Sequence, residues 1–173
     1  MAENISSISR SDTTFRIRRA TASDHERLIP LINSAFSVET FMQGPRTDAV
    51  RLAASMEKGV ILVAEDTPAA GDRRLLASIY TEIRGARGYA GMLAVDPAHQ
   101  RSGLGRRMLE AAEDHLRRQG CEAVDISVLS LRTELPPLYR KFGFVETGTE
   151  EFVYPHPIKD RQECHCIVMS KPL

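Results

Sequence analysis

An apolar run, Gly91-Met92-Leu93-Ala94-Val95, stops at Asp96-Pro97 and passes through a basic, glycine-containing loop into a helical period. That helix begins near Gly103 or Leu104, carries Leu104, Met108, Ala112 and Leu116 as one apolar stripe, and stops at Gly120. Val124, Ile126 and Val128 then alternate as a strand. Strand, helix and strand in that order over Tyr89 to Leu129 demand a parallel, right-handed crossover. The chain must therefore build a sheet with at least one helix lying across it.

The flanking segments extend that sheet. Phe15 and Ile17 alternate with arginines as a short first strand, and Thr21-Ala22-Ser23-Asp24 starts a helix with Leu28, Leu31, Ile32, Ala35 and Phe36 on its apolar stripe. Pro30 lacks a backbone donor and predicts a kink or break there. After a loop with Phe41, Gly44 and Pro45, Thr47 is placed to cap a second short helix that uses Val50, Ala53 and Met56 and stops at Gly59. Val60 to Ala64, Leu75 to Ile83 (alternating with period two) and Tyr89 to Val95 read as an antiparallel meander. Turns over 67–72 and at Gly85 and Gly88 join its strands. A short helix around Pro136 to Phe142 and strands near Phe144 to Val153 and Cys164 to Met169 complete the chain. The expected architecture is α/β: a mixed, mostly antiparallel central sheet of about six or seven strands with helices on both faces. Residues 1–13, polar and without apolar period, are expected to be a disordered tail before one domain over 14–173.

Composition removes several function classes. Lys plus Arg and Asp plus Glu number 23 each, so the global basic excess of a dedicated nucleic-acid binder is missing. The start of the chain lacks the pattern of a signal peptide, and no apolar run reaches the roughly 18 residues of a membrane helix. A soluble, cytoplasmic protein without a membrane partner is expected. Three cysteines cannot close a disulfide set. In Cys164-His165-Cys166, strand alternation would send His165 to the face opposite the cysteines, so no metal site is expected.

Chemistry concentrates after the third meander strand. Unpaired N–H groups at the start of a helix, aided by its dipole, make an anion site. Gly103 and Gly105 keep side chains out of the way, and Arg101, Arg106 and Arg107 add positive charge. A Walker loop would need Lys after Gly105, where Arg106 stands; a dinucleotide fingerprint would need Gly at Met108. Gln100, Gly103 and Gly105 instead fit a pattern of Gln or Arg, two residues, Gly, one residue, then Gly or Ala. Farther on, Leu138-Tyr139-Arg140-Lys141-Phe142-Gly143-Phe144 sets a tyrosine four residues before a Gly-aromatic pair.

Both segments resemble the signatures of the GNAT N-acyltransferase superfamily, and Ile17-Arg18-Arg19-Ala20-Thr21 with Asp24 resembles its first strand and helix start. The similarity spans about Phe15 to Phe144 in the right order. It implies an acetyl-CoA-dependent N-acetyltransferase. The backbone of Leu93, Ala94 and Val95 would pair with the pantetheine arm, and Gln100, Arg101, Ser102, Gly103, Leu104, Gly105 and Arg106 would cradle the pyrophosphate. Tyr139 would be the general acid to the departing CoA thiolate, with direct attack by an amine and no acyl-enzyme. A homodimer is the assembly the resemblance suggests testing. A non-catalytic CoA-binding sensor or assembly module is the alternative reading.

For the acceptor, the loop Phe36 to Thr47 offers Glu39, Phe41 and Arg46, and Glu82 and Glu134 are candidate bases, with neither assigned. Many family members carry Asn seven residues before the tyrosine; here the residue is Arg132. It could reach a phosphate or an acidic acceptor, cover surface with its stem, or pair with Asp125.

Overall fold

The computed structural model describes residues 15–67, 71–153 and 156–173, so the expected tail over 1–13 and the middle of the 67–72 turn lie outside the described residues. Among the described residues, seven strands form one sheet: β1 (Phe15–Arg19), β2 (Val60–Asp66), β3 (Leu75–Arg84), β4 (Arg87–Val95), β5 (Ala123–Leu129), β6 (Val145–Glu151) and β7 (His165–Pro172). Their spatial order is β1-β2-β3-β4-β5-β7-β6. Among the described residues, only β4 and β5 pair in parallel, as the intervening helix requires, and the other neighbouring pairs are antiparallel.

Helices α1 (His25–Ala35) and α2 (Ala49–Lys58) cover one face, while α3 (Leu104–Arg118) and α4 (Leu135–Lys141) pack on the other. The strand residues sort accordingly. Ile61 and Val63 join Leu28, Ile32 and Leu52, whereas Leu62 and Ala64 join Met108, Ala112 and Leu116. Because both faces are covered, Leu75 to Thr81 are all buried, and the alternation expected there separates two interiors rather than an inside from an outside. Phe144, 1% exposed, anchors the α4 side. Its loss to Ala would cost about 3–5 kcal/mol.

Three local expectations are corrected. Pro30 does not end α1, which runs through it; only the carbonyl one turn earlier, on exposed Glu26, loses a partner, and water can replace it. Asp48 rather than Thr47 caps α2, accepting from the Arg51 N–H at 2.9 Å, because Thr47 is buried and its amide donates to Asn33 Oδ1. The buried face of α2 is Leu52 with Met56 half-buried, while Val50 is 78% exposed.

Candidate active site

The parallel pair is short. Arg87, Gly88 and Tyr89 pair with Ala123, Val124 and Asp125, and after Tyr89 the two strands part although both continue. Two features open this wedge. Opposite Ile79, β4 carries an extra residue, a bulge in which Met92 takes φ +47°, a left-handed conformation that a side chain rarely adopts. The bulge also reverses which way the strand faces. Ala90 and Ala94, four residues apart, would share a face in a regular strand, yet they pack in opposite cores. On its far side β5 is held by β7 along its whole length, from Ala123 to Leu129, so it cannot follow β4.

The wedge becomes a cavity of about 610 Å³, walled by Ala90, Gly91, Leu93 and Val95 of β4 and by Ile126 to Leu129 of β5. Backbone groups of β4 that face this gap have lost their strand partner. An extended ligand arm can take that strand's place. Of the three residues expected to line this arm, Leu93 and Val95 do so, while the Ala94 side chain is fully buried and offers only its backbone.

At the end of β4, Gln100 reaches back to the Val95 carbonyl at 3.2 Å and borders the cavity. The loop beyond it turns through two left-handed residues, Arg101 at φ +62° and Gly103 at φ +85°, and Gly103 caps α3. Ser102 Oγ donates to the His99 carbonyl at 2.6 Å and receives the Leu104 N–H at 3.4 Å. The first helical bond comes from the Arg107 N–H to the Gly103 carbonyl at 3.2 Å, which leaves the amides of Gly105 and Arg106 without a partner among the described residues. A Cβ on Gly105 would sit in ordinary contact with the Val95 and Leu93 side chains at 3.6 and 3.9 Å, so these amides start beside the end of β4. The site fits a pyrophosphate: two free donors at the positive end of a four-turn helix. The Leu104 side chain is buried, Arg106 is paired to Glu110 at 2.9 Å, and Arg107 lies over the Phe15 ring. Local positive charge is therefore smaller than the count of arginines implies.

Tyr139 stands on α4 at the cavity wall, its ring edge-on to Phe142 and Phe144 with centroids 6.4 and 5.8 Å away. Its hydroxyl has no hydrogen-bond partner among the described residues. Burial pushes the phenol above its ordinary pKa, and the Arg132 guanidinium pulls partly the other way. It is a protonated group on a residue that lines a space a ligand can enter.

The other end of the cavity is lined by Phe36, Val38, Glu39, Phe41, Arg46, Arg132 and Glu134. Glu39, 6% exposed, accepts from Arg46 Nη1 at 3.2 Å and from Arg132 Nη1 at 3.0 Å. Arg132 Nε donates to Glu134 at 2.7 Å, and Arg46 lies 4.5 Å from the Phe36 ring centroid. Arg132 is not paired with Asp125, which binds Arg87 and Ser170 instead. Glu134 is held below the usual carboxylate range, chiefly by the hydrogen bond from Arg132. Phe41 is pinned through its carbonyl to the Lys159 N–H at 2.8 Å.

Glu82 does not join the site. It accepts from Tyr80 and Arg84 and borders a separate depression with Lys58, Ile83 and His115. In register with Tyr89, it sits at the end of the sheet opposite the phosphate loop. A candidate base chosen by strand membership alone carried no information about which end of the strand it occupied. Sequence reasoning in turn missed Met92, Leu138 and the β5 wall from Ile126 to Leu129. Nothing local to those residues signals a parallel pair that comes apart.

Comparison with known proteins follows the same outline. The family model described as an acetyltransferase (GNAT) domain matches residues 57–146. An Oryza sativa subsp. japonica protein named as a probable glucosamine 6-phosphate N-acetyltransferase 2 is 32% identical over 85% of this chain and 92% of its own length. Among solved structures, the ribosomal-protein-S18-alanine N-acetyltransferase of Escherichia coli superposes with a TM-score of 0.71 at 22% identity, covering 92% of this chain and 94% of that one. A Salmonella typhimurium protein solved with its cofactor acetyl-CoA gives 0.70 at 22% identity, with the same two coverages of 92% and 94%. Among the described residues, no helix is long and apolar enough to cross a membrane.

Proposed function

We propose, since this chain belongs to the GNAT acetyltransferase family and is an acetyl-CoA-dependent N-acetyltransferase, that transfer is direct and that Tyr139 is its general acid. The observation that carries the proposal is the meeting, in one cavity, of an unpaired strand edge and a phenol whose hydroxyl has no partner among the described residues, with a phosphate-type helix start just beyond the cavity-lining Gln100. The amides of Gly105 and Arg106 hold the pyrophosphate, and the free edge of β4 through Leu93 to Val95 aligns the pantetheine arm. Bound acetyl-CoA supplies an acyl thioester, whose C–S bond breaks as the acceptor nitrogen forms the new C–N bond. A β4 amide near the bulge steadies the negative charge that collects on the carbonyl oxygen. Tyr139 gives its proton to the departing sulfur and recovers one from solvent.

Among the described residues no cysteine lines the cavity, which favours direct attack over a covalent acyl-enzyme. Cys121 is buried in the core, and burial pushes the Cys166 thiol up to about 11. The acceptor amine must shed a proton, since an alkylammonium with a pKa near 10.4 is almost wholly charged at neutral pH. Glu134, stabilised as an anion by Arg132, is a weak base, so this proton leaves through water in the open cavity. The acceptors named for the relatives differ, one an amino sugar phosphate and one a protein alanine, and the names alone do not choose between them.

Thermal unfolding tests the cofactor assignment. At a hundredfold excess over Kd, acetyl-CoA and CoA should add about 2.7 kcal/mol, roughly 5–10 °C for a domain this size, while ATP and NAD add little. An equal shift with ATP would reduce the loop to a generic phosphate site. Release of free thiol on adding an amine then reports the reaction itself.

A further inference from the structure

Among the described residues, the carboxylates that line the cavity are Glu39 and Glu134, and both are held by arginines. A third carboxylate stands one hydroxyl away. Glu150 of β6 reaches across β7 and accepts from Ser127 Oγ of β5 at 2.5 Å. Ser127 lines the cavity, while Glu150 is exposed and carries no ion pair among the described residues. A carboxylate free of arginines is therefore linked to the cavity through a single hydroxyl, with bulk water behind it.

The two faces of the sheet give this link its direction. Ile126 and Val128 pack in the core beneath α3, so alternation turns Ser127 to the opposite face. Tyr89 lies on that face too, packed with the α1 residues, and its hydroxyl closes on Gly91, where a Cβ would come within 2.6 Å of it. Burial pushes the Tyr89 phenol up, with smaller influences from Arg84, from a hydrogen bond with Ser127 and from the charge of Glu150. Tyr139 belongs instead to the core of α3 and α4. The acid and the Ser127–Glu150 pair thus stand on opposite faces of the sheet, on either side of the gap between β4 and β5.

From this we infer that Ser127 and Glu150 form the exit for the acceptor's proton: Ser127 Oγ takes it at the cavity wall, directly or from cavity water, and passes its own proton to the Glu150 carboxylate, which releases it to solvent. The inference deepens the acyltransferase reading and rests on it. An N–H bond of the ammonium breaks and leaves its electron pair on nitrogen as the lone pair that attacks the thioester carbon; an O–H bond forms on Glu150, and the serine ends as it began. A second N–H proton leaves as the amide forms, matching the one that Tyr139 gives to sulfur and regains from solvent. A carboxylate is a weaker base than an amine, so the relay sets how quickly free amine appears, and attack then consumes it. The groups facing Glu150 are Tyr89 from β4, Ser127 from β5 and, opposite it in the ladder, Cys166 from β7, on which Cys164 and Arg46 also act. Burial holds the Cys166 thiol up at about 11 and Tyr89 above its ordinary value, so neither ionises near neutral pH.

The test follows release of free thiol from acetyl-CoA by the full chain with tyramine, glucosamine and alanine amide, from about pH 6.5 to about 9.5, keeping the fastest of these amines for the variants. Glu150→Gln preserves an acceptor for the Ser127 hydroxyl but removes the base, and Ser127→Ala cuts the relay. Each should lower kcat about 10- to 100-fold near pH 7, leave KM for acetyl-CoA unchanged, and recover toward wild type as pH rises and the amine arrives uncharged. The double variant should be no slower than the worse single one, because both interrupt one path. Glu151→Gln, with its side chain on the other face of β6, should match wild type throughout. An unchanged kcat in Glu150→Gln, a deficit equal at every pH, or a double variant slowed by the product of the two single losses overturns the inference. If Ser127→Ala does not fold, the pH dependence of the deficit in Glu150→Gln, at an exposed position, decides alone. A wild-type chain that releases no thiol with any of these amines is a separate result: it removes the acyltransferase reading and this inference with it.

Discussion

Arg132 Nη1 donates to Glu39 Oε1 at 3.0 Å, joining the loop that follows α1 to the loop that precedes α4 across 93 positions of sequence. The contact closes the acceptor end of a cavity whose other end is the gap between β4 and β5. Both loops therefore have to be in place before the site exists, while the gap itself is a property of the sheet.

Replacing Tyr139 by Phe keeps the edge-on contacts with Phe142 and Phe144 and removes only the hydroxyl. Steady-state kinetics should show kcat lower by about 100-fold or more, with CoA affinity and melting temperature nearly unchanged. An unaltered kcat would end the general-acid role.

The pH profile follows from the same residue. Burial raises the pKa of Tyr139, so the phenol remains protonated past its ordinary value of about 10. The rate should climb with pH as the acceptor amine loses its proton and should not turn down below about pH 10. A downturn near neutral pH would mean that another acid, with a lower pKa, is essential.

Gly103 and Gly105 should separate conformation from access. At φ +85° with nothing within 4 Å, Gly103→Ala meets no clash but pays for a left-handed backbone, about 1–2 kcal/mol, seen as a melting temperature lower by about 2–8 °C. Gly105→Ala finds its neighbours at ordinary contact distances and should melt within about 1 °C of wild type. Calorimetric titration with CoA should find the Gly105→Leu variant folded but weakened, since its side chain would cover the free amides.

Glu82→Gln should leave kcat and KM unchanged, because Glu82 faces Tyr80 and Arg84 at the opposite end of the sheet. Glu134→Gln should lower kcat/KM by less than about tenfold, the limit for a carboxylate that is not the base. A loss of a hundredfold or more would make Glu134 the missing base.

Acid stability should trace to Glu65 and Asp24. Arg18, helped by Arg16, holds the Glu65 carboxyl down to about 2, and Arg18 depresses Asp24 further still. Both pKa values are lower folded than unfolded, so their contribution is complete above about pH 5 and is lost as pH falls through 4 toward 2. Melting temperature in wild type should drop steeply over that window. Glu65→Gln should be less stable at pH 7 by about 1–3 kcal/mol, since Arg18 keeps Asp24 while half-exposed Arg16 loses its partner, and should show a shallower drop.

Much of this protein was legible in order along the chain. Leu104, Met108, Ala112 and Leu116 form the buried stripe of α3, Gly103 and Gly105 open its N-terminus, and β4, α3 and β5 make the parallel crossover. These follow from local rules: helical period, glycine at a left-handed cap, and the handedness of a crossover. The same rules misjudged Thr47, whose hydroxyl suits a cap as the Asp48 carboxylate does, because burial against Asn33 is decided by distant parts of the chain.

What sequence alone determined was the order of elements and the chemistry at each end of α3 and α4, because backbone propensity and side-chain type act over a few residues. Tertiary structure decided the site. The bulge at Met92, the three-residue length of the β4–β5 pairing, the exile of Glu82 and the capture of Glu39 between Arg46 and Arg132 all depend on where β7 and the two loops come to rest. Those are contacts between residues far apart in sequence, and no window along the chain contains both partners.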